Sequence, residues 1–178
     1  GLQLSSHLFQ FASGAAIVKE KTKFGLIDKT GTILKDFEFD VIDPVKDGRF
    51  AAKKKKNFGF FNTSGIDVIP FQFEDTRGFS EGMAAILENG LWGFVNDAGE
   101  TVVKAEYQDA GYFVDGVSVV QRGDFYCLIN KQGTYLIPCA MDEITRVPST
   151  DLLRLEKEDK MAYFDLQTKK YMWQSEGF

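Results

Sequence analysis

The chain has 178 residues, and its 21 lysines and arginines against 26 acidic residues give a formal net charge of −5. This length suits one domain with a sizeable core, and an acidic chain argues against a nucleic-acid partner, which favours a basic surface. Apolar residues make up 44% of the chain, yet no apolar run approaches the ~18 residues that a membrane-spanning helix needs.

Residues of the same type recur with a period of 34 positions along the chain. An aromatic residue followed by glycine marks the period at Phe24-Gly25, Phe58-Gly59 and Trp92-Gly93, and Tyr126-Cys127 continues the series. The same spacing separates Asp28, Asn62, Asn96 and Asn130, and also Gly31, Gly65, Gly99 and Gly133. A shorter fifth copy, with one inserted residue, places Met161, Ala162 and Asp165 at the aromatic, glycine and Asx positions. Such regularity predicts a tandem-repeat fold.

The period divides residues 1–178, a single repeat domain, into five copies. Their approximate limits are 12–45, 46–79, 80–113, 114–147 and 148–178. Residues 1–11 form an N-terminal tail segment that is in phase with the end of a repeat.

Each copy predicts a short antiparallel meander. In chain order, the third copy predicts a turn at 80–82, a strand at 83–87, a tight connection at 88–90, a strand at 91–95, a turn at 96–99 and a third strand from 100. The segment 107–113 then leads into the next copy. Strand-like runs separated by turn residues every 8 to about 12 positions are typical of antiparallel sheets. We therefore predict an all-β fold.

The turn after the second strand has the pattern Asx-x-x-Gly in the first four copies. Asn96 and Gly99 show it in the third copy. The Asx side chain can accept hydrogen bonds from the turn amides, and glycine tolerates the positive φ that closes such a turn. The pattern predicts a hairpin at this place in each of these copies.

The third copy resembles the WG-containing repeat of bacterial proteins. The resemblance rests on Glu81-Gly82-Met83-Ala84, Leu91-Trp92-Gly93-Phe94-Val95-Asn96 and Gly99, and it extends over roughly residues 11–175. The first two copies carry phenylalanine at the tryptophan position, and the fifth keeps little beyond Asp165. The resemblance implies a bacterial repeat array of interaction or unknown function, and it supplies no catalytic residues.

A unit this short cannot bury its apolar face alone, so neighbouring copies must stack. We expect an open, solenoid-like array of antiparallel β-hairpin or meander repeats. The alternative is a closed, small five-bladed β-propeller, in which the N-terminal segment completes the last blade. A copy of 34 residues is short for a four-stranded blade, which usually takes about 40 or more, and this favours the open array.

Two sets of residues are candidates for binding a partner. The first is the run Lys53, Lys54, Lys55 and Lys56 in the first hairpin loop of copy two, which could hold an anion or cover a strand edge. The second is the pair Trp92 and Tyr126 of the aromatic series, which could stack on sugars but equally suits a core position.

The remaining polar residues do not indicate catalysis. Carboxylates recur at Asp40, Glu74 and Asp142, with Gln108 in the same series, but no pair stands out as a glycosidase dyad would. A lone histidine, His7, argues against a Ser-His-Asp triad and against a histidine zinc site. The two cysteines, Cys127 and Cys139, are about three residues out of register across their hairpin, so we expect free, buried thiols.

These observations predict a non-enzymatic binding or scaffolding module whose partner is a protein. A carbohydrate or cell-envelope ligand is the alternative, and a hydrolase ranks last. No nucleotide-binding or calcium-binding motif is present, so we expect no metal and no cofactor. The chain starts at Gly1 with no visible signal peptide, which is compatible with an export signal removed upstream. The compartment and the oligomeric state stay open.

Overall fold

The computed structural model describes residues 11–178, and their regular secondary structure consists of β-strands. His7 and, apart from Phe11, the predicted N-terminal tail lie outside the described residues. Residues 11–178 contain no helix that is long and apolar enough to cross a membrane.

The strands form five sheets, and within each sheet they pair antiparallel in chain order. Sheet 1 contains β1 (Ala15–Glu20), β2 (Lys23–Asp28) and β3 (Ile33–Phe39). Sheet 2 contains β4 (Val41–Ile42), β5 (Arg49–Lys54), β6 (Asn57–Asn62) and β7 (Asp67–Phe73). Sheet 3 contains β8 (Asp75–Ser80), β9 (Met83–Glu88), β10 (Leu91–Asn96) and β11 (Thr101–Tyr107). Sheet 4 contains β12 (Asp109–Ala110), β13 (Val117–Arg122), β14 (Phe125–Asn130) and β15 (Tyr135–Met141). Sheet 5 contains β16 (Glu143–Arg146), β17 (Leu152–Lys157), β18 (Lys160–Asp165) and β19 (Lys170–Gln174).

A copy of 34 residues holds four strands because its connections are short. The first strands β4 and β12 have only two residues each, and the hairpin between β5 and β6 turns through Lys55 and Lys56. The expectation that this period is too short for a four-stranded sheet is therefore wrong. The segment 107–113, predicted only as a link, supplies the first strand of sheet 4. Sheets 2 to 5 therefore each begin a few residues before the copy boundary drawn from the sequence.

Apolar clusters between consecutive sheets form the core. Phe50 and Phe61 of sheet 2 pack on sheet 1, whereas Phe60 on the opposite face of sheet 2 meets Phe79 of sheet 3, with ring centroids 4.9 Å apart. Further clusters join sheets 3 and 4, and sheets 4 and 5. Among the described residues, extensive packing joins only neighbouring sheets, and none of the sheets closes on itself. The predicted all-β open array is confirmed.

The Asx-x-x-Gly turns have the predicted geometry. Asn96 Oδ1 accepts the backbone N–H groups of Ala98 and Glu100, each at 3.0 Å, and Gly99 has a φ of 79°. Asp28 makes the equivalent bonds in sheet 1, whereas Asp165 in sheet 5 accepts the backbone N–H groups of Gln167 and Thr168 in a turn without glycine. These bonds satisfy turn amides that would otherwise depend on water.

The glycine of each aromatic–glycine pair allows a close approach of the last strand. Trp92 lies opposite Tyr107 and Phe94 lies opposite Val103, so the single residue Gly93 faces the three residues 104–106. A Cβ on Gly93 would lie 2.6 Å from the backbone nitrogen of Ala105, a distance that real Cβ atoms essentially never show. Sheets 1 and 2 repeat this bulge over Gly25 and Gly59.

Sheet 4 has a disulfide at this approach, which corrects the expectation of free thiols. Cys127 occupies the glycine position, and Cys139 is the middle residue of the bulge opposite it. Their Cα atoms are 4.3 Å apart and their sulfurs are bonded. The predicted mismatch assumed regular pairing, whereas the bulge shifts the register and brings the two cysteines together. In sheet 5 the bulge at this position is absent, since Ala162 pairs directly with Gln174 and Tyr163 with Trp173, and Ala162 fits at the glycine position.

Hydrogen bonds between turns also connect neighbouring sheets. Glu81 accepts the backbone N–H groups of Asp115 at 2.7 Å and of Gly116 at 2.9 Å. Burial by itself would raise the pKa of Glu81, but these amide bonds and the nearby Lys131 together lower it below its ordinary value. Glu81 is therefore ionised when it accepts the hydrogen bonds from the turn of sheet 4.

We expect the double variant C127G/C139A to fold, because it reproduces the Gly93 and Ala105 pair of sheet 3. Its free energy of unfolding should fall by about 3 kcal/mol, since the disulfide closes a loop across a separation of 12 residues. Urea denaturation of both proteins, with and without reductant, checks this. A wild-type unfolding curve that does not respond to reductant would contradict it.

We expect the turns in sheets 1 and 5 to weaken in acid. Hydrogen bonds lower the pKa of Asp28, chiefly that from the Thr30 hydroxyl, and that of Asp165, chiefly that from the Thr168 amide. Because each folded pKa lies below the unfolded value, the stabilisation is present above that value and is lost as the pH falls through the folded pKa.

The variant D28N/D165N keeps the acceptor oxygen without the titration, as Asn96 does in sheet 3. Its thermal midpoint should consequently fall less than that of the wild type below about pH 4. Asp124→Asn, at an exposed residue outside these turns, is the control. Parallel pH profiles for the wild type and the double variant would refute the assignment.

Candidate partner-binding site

The predicted lysine run lies at the hairpin end of sheet 2. Lys53 and Lys54 close β5, and Lys55 and Lys56 form the turn. Lys55 has a φ of 61°, a left-handed conformation that fits the two-residue turn of a tight hairpin. The turn directs both of its lysines into solvent.

A carboxylate brings a lysine of sheet 1 into the same group. Asp40 contacts the Lys23 ammonium group and accepts the backbone N–H of Lys55 at 3.1 Å. The hydrogen bond from Lys23 is the main reason that the pKa of Asp40 is lowered, and Lys53 adds to the effect. We call Lys23, Lys53, Lys54, Lys55 and Lys56 the lysine cluster.

The charges of the lysine cluster are only partly neutralised. Lys54 pairs with Glu38 at 2.7 Å, and Lys53 lies over the ring of Phe58, 5.2 Å from its centroid. Within residues 11–178, Lys55 and Lys56 make no ion pair. These two ammonium groups are therefore available to an anionic partner.

A hollow of about 510 Å³ lies beside these two lysines. Lys54, Lys55, Lys56 and Asn57 line it together with the half-buried Phe71. Asn57 donates a hydrogen bond to the carbonyl oxygen of Phe71 at 3.3 Å, which ties the hairpin to β7. The hollow thus combines cationic groups with an aromatic surface.

The charge of the chain is divided along the array. Residues 1–62 have 11 lysines and arginines against 7 acidic residues, a net charge of +4. Residues 63–178 have 10 against 19, a net charge of −9. Residues 1–62 are therefore basic although the whole chain is acidic. The electric field of such a charge distribution orients an oppositely charged partner.

The two aromatic candidates lie at a distance from the lysine cluster in sequence and in sheet order. Trp92 and Tyr126 are half-buried and pack against the clusters between sheets 3 and 4 and between sheets 4 and 5. The guanidinium carbon of Arg77 lies 4.9 Å from the ring centroid of Trp92. One face of that ring is thus already in contact with a side chain of the protein itself.

The recurring carboxylates stabilise hairpins. Glu74 accepts the backbone N–H groups of Asn89 and Gly90 at 2.8 and 3.2 Å, and Gln108 accepts that of Gly123 at 2.8 Å. Because the amide oxygen of Gln108 accepts one of the two bonds that Glu74 accepts, that contact needs an acceptor and not a charge.

A second concave region was missed by the sequence analysis. It is a pocket of about 410 Å³, which we call the inner pocket, at the first strands of sheets 2 and 3, and a residue of sheet 4 completes it. Its lining includes Asp43, Lys46, Arg49, Arg77, Gly78 and Tyr112. The available signal was a break in the repeat: Arg49 stands where the other copies have Ala15, Met83, Val117 and Leu152.

A family model described as WG containing repeat matches residues 24–57, 58–92 and 92–124, together more than half of the chain. The chain belongs to this family. The matched segments begin at or near the aromatic–glycine pairs and together run from β2 of sheet 1 to β13 of sheet 4. A comparison with curated protein sequences finds no significant match.

Solved structures share the fold of these WG repeats. Hsv2 of Kluyveromyces lactis superposes with a TM-score of 0.53 at 9% identity, covering 90% of this chain and 60% of that one. A eukaryotic initiation factor gives a TM-score of 0.54 at 11% identity, covering 91% and 52%. These neighbours are β-propeller-like, and at such low identity the likeness shows the fold alone. The chain spans three fifths or less of their length.

If the carboxylate series is structural, Glu74→Gln should keep the bond from Asn89, the counterpart of the bond that Gln108 accepts from Gly123, and should lower the free energy of unfolding by no more than about 1 kcal/mol. Glu74→Ala loses both bonds and should lower it by about 2 kcal/mol, since one hydrogen bond usually contributes about 1 kcal/mol. Urea titration of both variants checks this. Gln108→Ala, which removes the equivalent hydrogen bond from Gly123 in sheet 4, serves as the matched comparison. Equal destabilisation by the two changes at Glu74 would show that the charge is required.

Proposed function

We propose that this chain is a non-enzymatic interaction module that binds an acidic segment of a partner protein at the lysine cluster. The observation that carries the proposal is the cluster itself. Four consecutive lysines at the hairpin end of sheet 2 are joined through Asp40 by Lys23 of sheet 1, and residues 63–178 are strongly acidic.

The position of the lysine cluster supports binding. Two-residue hairpin ends can change in sequence without disturbing the stacked sheets, so repeat proteins commonly place contacts in such loops. The equivalent hairpins contain Glu88-Asn89-Gly90 in sheet 3 and Arg122-Gly123-Asp124 in sheet 4. The basic surface is therefore a local departure from the repeat.

A protein segment suits this surface better than a single anion. The hollow beside Lys55 and Lys56 offers the aromatic edge of Phe71 in addition to charge. Acidic side chains can pair with the two free ammonium groups while an apolar neighbour contacts the ring. The acidic remainder of the array repels the same segment and so restricts it to one end.

The structural role of the recurring carboxylates supports a non-enzymatic function. Glu74 and its equivalents already accept backbone hydrogen bonds in their hairpins. A catalytic pair needs unlike groups with distinct tasks, whereas these residues repeat one task in successive sheets.

The Cys127–Cys139 disulfide supports a location outside a reducing cytosol, because disulfides persist mainly in oxidising compartments. We propose that the partner is met there. Fractionation of the native source checks this, since recovery of the chain only in the cytosol with both thiols reduced would contradict it.

A fluorescein-labelled oligoglutamate peptide should bind the chain and should dissociate as salt is added, because exposed charges are screened. Lys55→Gln/Lys56→Gln should weaken binding about fivefold, since each exposed charge contact contributes roughly 0.5 kcal/mol. Fluorescence anisotropy measures the affinity. Lys169→Gln/Lys170→Gln removes an adjacent lysine pair in sheet 5 and should leave it unchanged. Equal losses in the two variants would show that net charge alone attracts the peptide.

A further inference from the structure

We propose that the inner pocket binds a sugar residue, that is, a hydroxyl-rich ring without net charge. This site is separate from the lysine cluster, and it uses neither Trp92 nor Tyr126.

The inner pocket exists because sheet 3 departs from the repeat at Gly78. The other copies have Pro44, Tyr112 and Arg146 at this position, and a glycine leaves their volume empty. The pairing of β8 with β9 shifts between Thr76 and Gly78, and Gly78 has a φ of 77°, which favours glycine. The resulting cavity of about 410 Å³ lies within the usual range of ligand sites, about 300 to 1,000 Å³.

The two arginines of the inner pocket are already neutralised. Arg49 pairs with Asp97 at 3.0 Å, and Arg77 pairs with Asp109. The Nε atoms of both arginines are buried without an acceptor in the described part of the chain. A ligand can thus reach only their outer N–H groups, and it finds little net positive charge.

Asp43 and Lys46 are the polar groups of the inner pocket that remain free. No side chain or amide within residues 11–178 donates a hydrogen bond to the Asp43 carboxylate, and burial raises its pKa. Lys46 donates one hydrogen bond, to the Tyr112 hydroxyl at 3.0 Å, and keeps two N–H groups. One acceptor group and one donor group of opposite charge suit a neutral ligand that both donates and accepts.

Hydroxyl groups provide that combination. A sugar hydroxyl can donate to Asp43 while a neighbouring hydroxyl accepts from Lys46, and this arrangement supplies a donor to a carboxylate that burial has partly removed from water. A simple anion would leave Asp43 without a donor and would add repulsion. A simple cation would be repelled by the Lys46 ammonium group.

The walls of the inner pocket suit the apolar face of a sugar ring. Pro44, Ala51 and Phe79 line one part, and Tyr112 of sheet 4, whose side chain is 41% exposed, closes another. The Lys46 ammonium group lies 4.2 Å from the centroid of the Tyr112 ring. This contact connects sheets 2 and 4 across Gly78 and fixes the width of the opening.

Saturation-transfer NMR tests the proposal with glucose, galactose, mannose and N-acetylglucosamine, each at millimolar concentration. Glycine and inorganic phosphate serve as zwitterionic and anionic probes. At least one sugar should receive saturation. Asp43→Asn should weaken its binding about tenfold, the effect of losing one charged hydrogen bond, and Tyr112→Ala about fivefold, the effect of losing one ring contact.

The matched controls are Asp36→Asn and Phe125→Ala, which change an exposed carboxylate and an exposed aromatic residue away from the pocket. Both should leave sugar binding unchanged, and thermal midpoints confirm that all four variants fold. Absence of transfer to every sugar would overturn the proposal. So would sugar binding that survives Asp43→Asn and Tyr112→Ala, or binding confined to glycine or phosphate. The lysine-cluster variant should bind the sugar normally, so this test can fail independently of the proposed function.

Discussion

Every feature of the array depends on the burial of both faces of each inner sheet by its neighbours. In sheet 3, Ala84 and Ile86 face sheet 2, whereas Met83 and Ala85 face sheet 4. A two-faced apolar sheet of four short strands has no stable existence alone, so stacking supplies the core and fixes the period. Sheet 5 ends the series differently: Leu153 and Leu155 face sheet 4, and by strand alternation Arg154 lies on the outward face. A polar residue there suits the capping of a stack.

The close approach over the central glycine determines how each sheet is completed. Three bulge residues of the last strand oppose a single residue of the strand before it, so a side chain is excluded in sheets 1 to 3. Sheet 4 shows the one side chain that the geometry accepts, a cysteine bonded to the middle residue of the bulge. Sheet 5 accepts Ala162 because no bulge lies opposite it, and Ala162 pairs directly with Gln174.

Much of this architecture could be predicted from the sequence, because local chemistry determines it. The spacing of Asn96 and Gly99 predicted a turn whose hydrogen bonds involve residues within four positions. The bulge could not be predicted, since the residues 104–106 have no distinctive turn chemistry. The disulfide was missed for the same reason. The first strands of sheets 2 to 5 were missed, and in β4 and β12 two residues are too few to show a period.

The two candidate sites differ in how far they could be predicted from the sequence. Lys55 and Lys56 are adjacent, so their charge was evident in the sequence, although the contribution of Lys23 needed the contact with Asp40. The inner pocket combines Asp43, Gly78 and Tyr112 from three sheets, and no local pattern brings them together. At both sites the residues that suggest function depart from the repeat pattern. Residues that follow the repeat pattern pack or hydrogen-bond the sheets together.

Affinity capture tests the central functional claim most directly. Wild type, Lys55→Gln/Lys56→Gln and Lys169→Gln/Lys170→Gln would each serve as bait in soluble and envelope extracts of the native source, with mass spectrometry as the readout. The account predicts a saturable protein partner that the wild type and the sheet 5 variant retain and the lysine-cluster variant loses. A partner retained by all three baits, or no protein partner at micromolar bait, would contradict it.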